Sequence, residues 1–151
     1  FSTGIKVQHI VDSGVYSYAK LLQQQGEDII FLTGADVITN RGDLINKVGT
    51  AQISLALNSL GLKHYVLTTS NKLDPVSKWW KLSDVELRSS KEIWTEKNKN
   101  LEIKNFAFDI TDAKNIFLII TEKGITKTKF LVISNKLPKE QEDLWKKFEK
   151  K

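Results

Sequence analysis

The chain has 151 residues, 40% of them hydrophobic and 27% charged, which suits one globular domain with its own core and leaves little room for a second. It contains no cysteine, which excludes disulfides, thiolate metal ligation and a cysteine nucleophile within these residues. The 23 basic and 18 acidic residues give a net charge of +5, carried almost wholly by lysine, so the guanidinium forks that read bases are nearly missing and nucleic acid is not an expected partner.

The start Phe1-Ser2-Thr3-Gly4 lacks methionine and runs at once into a strand-like segment, so the chain is expected to be a piece of a longer parent. It shows no signal-peptide pattern, and no apolar run approaches the roughly 20 residues of a membrane helix. A cytoplasmic location and no membrane partner are therefore expected. A strand is predicted over Val7 to Val11, then a helix over Tyr16 to Gln25 with Ser13 as N-cap and Gly26 at its end. Ile29 to Thr33 reads as a strand buried on both faces. A second helix is predicted over Asn46 to Leu60, closed by Gly61, and a third strand over His64 to Thr68. This β-α-β-α-β order predicts an α/β fold, a Rossmann-like parallel sheet flanked by helices, formed as a single domain over residues 1–151.

Beyond these elements, Asp74-Pro75 with Trp79-Trp80 reads as a loop whose aromatics cover apolar surface or meet a partner. Val85 to Arg88 alternates like a half-exposed strand, and Leu101 to Phe108 alternates again. A helix capped by Thr111 or Asp112 is predicted over Ala113 to Ile120, within which Ile116 to Ile120 is apolar enough for a deeply packed helix or strand. A strand over Phe130 to Ile133 and a charged final helix with a Leu144, Trp145, Phe148 stripe complete the reading.

In parallel-sheet folds, ligands gather outside the carboxyl ends of the strands. Asp12-Ser13, Asp36 and the segment Thr68 to Lys72 are all expected to leave the sheet at that edge. Asp36 is the candidate acid/base, because partial burial of a carboxylate there favours proton exchange with a substrate; the other reading is a turn cap. Asn46 and Lys47, at the predicted helix start, are candidate holders of an anion, phosphate first, against the alternative of a simple cap and a solvated lysine. Lys72, just past the third strand, is expected to reach the same crevice, against the alternative of a solvated loop lysine. His9 and His64 fall in predicted strands without metal-ligand spacing and are read as packing residues. No Gly-x-Gly-x-x-Gly or P-loop follows the first strand, so neither a cofactor nor a metal is expected.

Gly34-Ala35-Asp36, the Gly42 turn and Asn46-Lys47-Val48-Gly49-Thr50 together closely resemble the signature shared by translation initiation factor 2B alpha, beta and delta subunits and sugar-1-phosphate isomerases. The resemblance extends through Ile10 to Ser13, Tyr65-Val66, Lys72-Leu73-Asp74, Asn105 to Thr111 and Ile120 to Gly124. It implies the C-terminal, Rossmann-like domain of that family. It also implies a phosphorylated sugar or nucleotide as ligand, with Asp36 moving a proton in aldose-to-ketose conversion and Asn46, Lys47 and Lys72 holding substrate. Lys72, where methylthioribose-1-phosphate isomerases typically carry threonine, resembles the archaeal factor-2B-related and ribose-1,5-bisphosphate isomerase members. The family's cysteine and its arginine-bearing phosphate loop belong to an N-terminal half outside this chain. The resemblance therefore implies either a half-site of an isomerase or a regulatory, assembly-forming subunit in translation initiation, and in both cases a homodimer or higher oligomer.

Overall fold

A computed structural model describes residues 4–74, 85–96 and 98–128. Helix α1 spans Val15–Gln24 and helix α2 Thr50–Ser59. Each ends where a glycine with positive φ, Gly26 or Gly61, turns the chain so that its own amide and the next one bond back to carbonyls of the last helical turn. At the other end of α1 the expectation fails: a 3-10 turn over Asp12–Gly14 leads in, Gly14 is the N-cap, and Ser13 makes no cap bond.

Two four-stranded sheets form the body. In the first, β1 (Phe31–Thr33), β4 (His64–Leu67) and β7 (Leu118–Thr121) are parallel, and β8 (Gly124–Thr126) returns antiparallel to β7. This is the Rossmann-like α/β layer the chain order predicts. In the second, β2 (Val37–Thr39) pairs antiparallel with β3 (Leu44–Lys47), β3 with β6 (Phe108–Thr111), and β2 runs parallel to β5 (Leu73–Asp74). The core lies where the sheets meet: Ile38 and Leu44 from the second pack with Val66, Ile116 and Ile119 of the first layer, and Ala35 and Leu73 close around them. All but Ile116 of those five are fully buried, a side-chain contribution on the order of 2 kcal/mol each.

Several expectations change. Val7 to Val11 forms no strand and is exposed, so His9 is not a strand residue. The second helix begins at Thr50, because residues 44–47 are used as a strand: Leu44 and Ile45 are both buried, which a strand between two neighbours achieves. The predicted helix over 113–120 is a 3-10 turn, Ala113–Asn115, followed by β7, in keeping with the β-branched run that fills a central strand. Val85 to Arg88 keeps one antiparallel bridge, Leu87 to Phe106, and alternation after Leu101 becomes regular pairing only at Phe108. The strand at 31–33 is covered on one face only among the described residues, leaving Leu32 52% exposed and Ile30 75% exposed. Trp79, Trp80, the strand expected over Phe130 to Ile133 and the Leu144, Trp145, Phe148 stripe lie outside the described residues.

Candidate functional site

The carboxyl ends of β1, β4 and β7 define one edge of the first sheet. Asp36 lies in the connection after β1, the Ser70–Lys72 turn follows β4, and Glu122 follows β7. The last two are joined: the Ser70 amide donates to Glu122 at 2.9 Å, and the Ser70 hydroxyl donates to the other carboxylate oxygen. These bonds, the hydroxyl first and the amide second, hold the Glu122 carboxyl below its ordinary value. Glu122 thus pins the turn that carries Lys72.

The second sheet brings the candidate residues to the same edge. Val37 pairs with Ile45, and the Asp36 amide donates to the Ile45 carbonyl at 3.0 Å, which fixes Asp36 beside Asn46. Ile38 pairs with Leu73 in parallel, so Lys72, one residue earlier, comes alongside Val37. Asp36, Asn46, Lys47 and Lys72 therefore share one end of the β5-β2-β3 ribbon. Asp36, Lys47 and Lys72 are exposed and Asn46 is half-buried. The partial burial expected for Asp36 is not supplied by the described residues.

Lys47 and Asn46 do not sit at a helix start. They close β3, and Lys47 projects its ammonium 5.8 Å from the Phe108 ring centroid, a cation–π distance. Its charge also reaches Glu92, whose carboxyl is lowered chiefly by the hydrogen bond from Arg88 and least by Lys47. The free amides at the start of α2, where a helix terminus favours an anion, already have an internal carboxylate. Asp109 Oδ2 accepts from Gly49 N at 2.7 Å and Ala51 N at 3.0 Å. Burial raises the Asp109 pKa, and the Ala51 and Gly49 amides oppose that rise. Asp12 joins this end of α2 as well, since a Cβ built on Gly49 would stand 3.5 Å from Asp12 Oδ2. With an internal carboxylate on the helix terminus, the Gly49 and Ala51 amides are not free to take a ligand anion.

Asn46 is held by Thr50: Asn46 Nδ2 donates to Thr50 Oγ1 at 3.2 Å, and Thr50 Oγ1 donates to the Lys47 carbonyl at 2.8 Å. Thr50, Asp109 and Glu122 are the residues whose roles sequence reasoning missed. Asp109 and Glu122 fell inside segments carrying the resemblance, but their partners are 60 and 52 residues distant, so no local spacing signals them. Thr50 lay inside the assumed helix, where its hydroxyl had no assigned task.

Residues 1–128 match the model of the initiation factor 2 subunit family, which is most of the chain. The chain belongs to this family. Within the family it is 38% identical over 127 residues to a ribose 1,5-bisphosphate isomerase of Methanocaldococcus jannaschii, covering 83% of this chain and 39% of that protein. It is 32% identical over 156 residues to a 5-deoxyribose 1-phosphate isomerase of Clostridium botulinum, covering 99% of this chain and 40% of the relative. Among solved structures it is similar to 5-methylthioribose 1-phosphate isomerase from Pyrococcus horikoshii, with a TM-score of 0.69 at 26% identity over 86% of this chain and 37% of that one. It is equally close to translation initiation factor eIF-2B, subunit delta, from A. fulgidus, with a TM-score of 0.69 at 28% identity over 87% of this chain and 38% of that one. The chain spans about two fifths of the length of these initiation factor 2 subunit family relatives.

Proposed function

We propose that this initiation factor 2 subunit family domain supplies the acid/base and anion-holding half of a sugar-phosphate site, completed in the parent protein to an aldose-ketose isomerase. The observation that carries the reading is the common edge: the tether from Asp36 to the Ile45 carbonyl and the β2–β5 pairing bring a carboxylate, an amide side chain and two ammonium groups to one end of the ribbon. Interconversion of an aldose and a ketose moves a proton between adjacent carbons, and an exposed carboxylate is suited to carry it once a second half closes over the site. Lys47 and Lys72 hold the phosphate by charge. The chain has no cysteine, so any sulfur nucleophile or acid must come from residues beyond it.

Ligand binding to the folded state raises thermal stability by mass action, so a melting shift reads the site without turnover. Ribose 1,5-bisphosphate is expected to raise the Tm of the wild type and of Asp36→Asn, and to lose most of that effect with Lys47→Ala and Lys72→Ala. Identical responses from all four proteins would overturn the assignment.

A second reading is a non-catalytic regulatory or assembly subunit acting in translation initiation, with the anion site sensing a nucleotide or sugar phosphate. The likeness to the eIF-2B delta subunit, as strong as that to an isomerase, favours keeping it. It requires a homodimer or higher oligomer through this domain. A strictly monomeric chain at high concentration in sedimentation would count against it.

A further inference from the structure

The Thr50 hydroxyl decides which way round the Asn46 amide is held. It owns a single hydrogen, and the Lys47 carbonyl 2.8 Å away can only accept, so that hydrogen is committed to Lys47. Toward Asn46, 3.2 Å away, Thr50 Oγ1 is left as an acceptor, and the group facing it must be the Asn46 NH2. The opposite end, Oδ1, has no hydrogen-bond partner among the described residues, and it is not among the side-chain atoms sealed from solvent without one. Thr50 is itself buried, at 8% exposure, in the first turn of α2. That turn is fixed from the other side by Asp109, which takes the amides flanking Thr50 and stands opposite Asn46 in the β3–β6 pairing.

From this arrangement we infer that Thr50 is a positioning residue that turns Asn46 into a hydrogen-bond acceptor for the ligand. The Asn46 Oδ1 then takes a sugar hydroxyl and not the phosphate, because a carbonyl oxygen repels phosphate oxygens and welcomes an O–H. The hydroxyl end of a phosphorylated sugar goes to Asn46, and its phosphate is left to the ammonium groups at the same end of the ribbon. The inference rests on the proposed sugar-phosphate site and adds to it the basis on which that site distinguishes a sugar phosphate from a bare anion.

The test compares wild type with Thr50→Val, which keeps the side-chain shape and removes the hydroxyl, and Thr50→Ser, which restores it. Binding of ribose 1,5-bisphosphate and of pyrophosphate is measured by calorimetry. Thr50→Val is expected to lose about tenfold in affinity for the sugar bisphosphate, the worth of one misdirected hydrogen bond, with pyrophosphate unchanged and Thr50→Ser close to wild type. An equal loss for both ligands, or none, would overturn the positioning role. The orientation has its own readout: the Asn46 side-chain NH2 resonances should respond to Thr50→Val and return with Thr50→Ser in 15N-resolved NMR. If those resonances ignore Thr50 the orientation is wrong. If they respond while the wild type binds neither ligand, the orientation holds and it is the sugar-phosphate reading that fails.

Discussion

His64 is clamped between two hydroxyls, its Nε2 2.8 Å from Thr33 Oγ1 and its Nδ1 3.0 Å from Ser54 Oγ, with the ring 4.2 Å from that of Phe31. No water reaches it, and burial lowers its pKa from 6.5 to about 4. The neutral ring ties β4 to β1 and to α2 at once, which makes it a junction of the first sheet and its helix.

A proton bound more readily by the unfolded chain destabilises the fold, so stability should be full above pH 6.5 and fall as the pH drops toward 4. The loss across that window is about 3 kcal/mol, since each tenfold difference in proton affinity between the folded and unfolded chains is worth about 1.4 kcal/mol. Denaturant unfolding at several pH values checks it, and His64→Gln should lower the plateau while flattening that part of the slope. An unchanged midpoint between pH 7 and 5 would contradict the assignment, as would a His64 ring that titrates near 6.5 by NMR.

Asp109 caps α2 from a different strand. Asp109→Ala should cost about 1 kcal/mol, the usual worth of an N-cap acceptor. Asp109→Asn keeps an acceptor oxygen for Gly49 and Ala51 and should cost less. Because burial raises the pKa of this carboxyl, its ionisation opposes folding: the contribution is most favourable below the unfolded pKa and declines as the pH rises through the folded one. The stability advantage of the wild type over Asp109→Asn should therefore shrink or reverse above that range, as read from paired denaturation curves.

Gly42 closes the β2–β3 hairpin with φ +86°, after the turn in which its amide bonds to the Thr39 carbonyl at 2.9 Å. A Cβ there would lie 2.6 Å from Thr128 Cβ and 3.1 Å from its Cα. Gly42→Ala should destabilise by about 2 kcal/mol or more, the left-handed backbone supplying about 1–2 of that and the contact the rest. Because the hairpin carries Asp36 just before one strand and Asn46 and Lys47 on the other, ligand response in the melting assay should fall with it. A Gly42→Ala protein with wild-type stability and response would show that the hairpin tolerates a different turn.

Legibility in the sequence followed the range of the interactions. The helix ends at Gly26 and Gly61 were readable, since the carbonyls they satisfy lie within one turn of chain. So was the exit of Asp36 just after a strand, though that strand is covered on one face only among the described residues. The start of α2 differs from the expectation because Asn46 and Lys47 fit a helix and a strand equally well over so short a run, and pairing of residues 44–47 between β2 and β6 decided for the strand. Residues 113–120 went the same way, with neighbours β4 and β8 deciding.

The two helices, the strands around 31–33 and 64–67, the lysine-borne charge, the absence of cysteine and the clustered motif from Gly34 to Thr50 were legible in the residues themselves, because composition and near-neighbour spacing need no partner. Tertiary structure alone decided that Asp109 takes the helix amides, that Glu122 pins the Lys72 turn and that Thr50 orients Asn46 from the turn Asp109 holds. The first two join side chains to backbone groups more than fifty residues away, and the third depends on which atom owns a single hydrogen. A hydrogen bond is set by angle and distance in space, and the sequence supplies neither until the strands have chosen their neighbours.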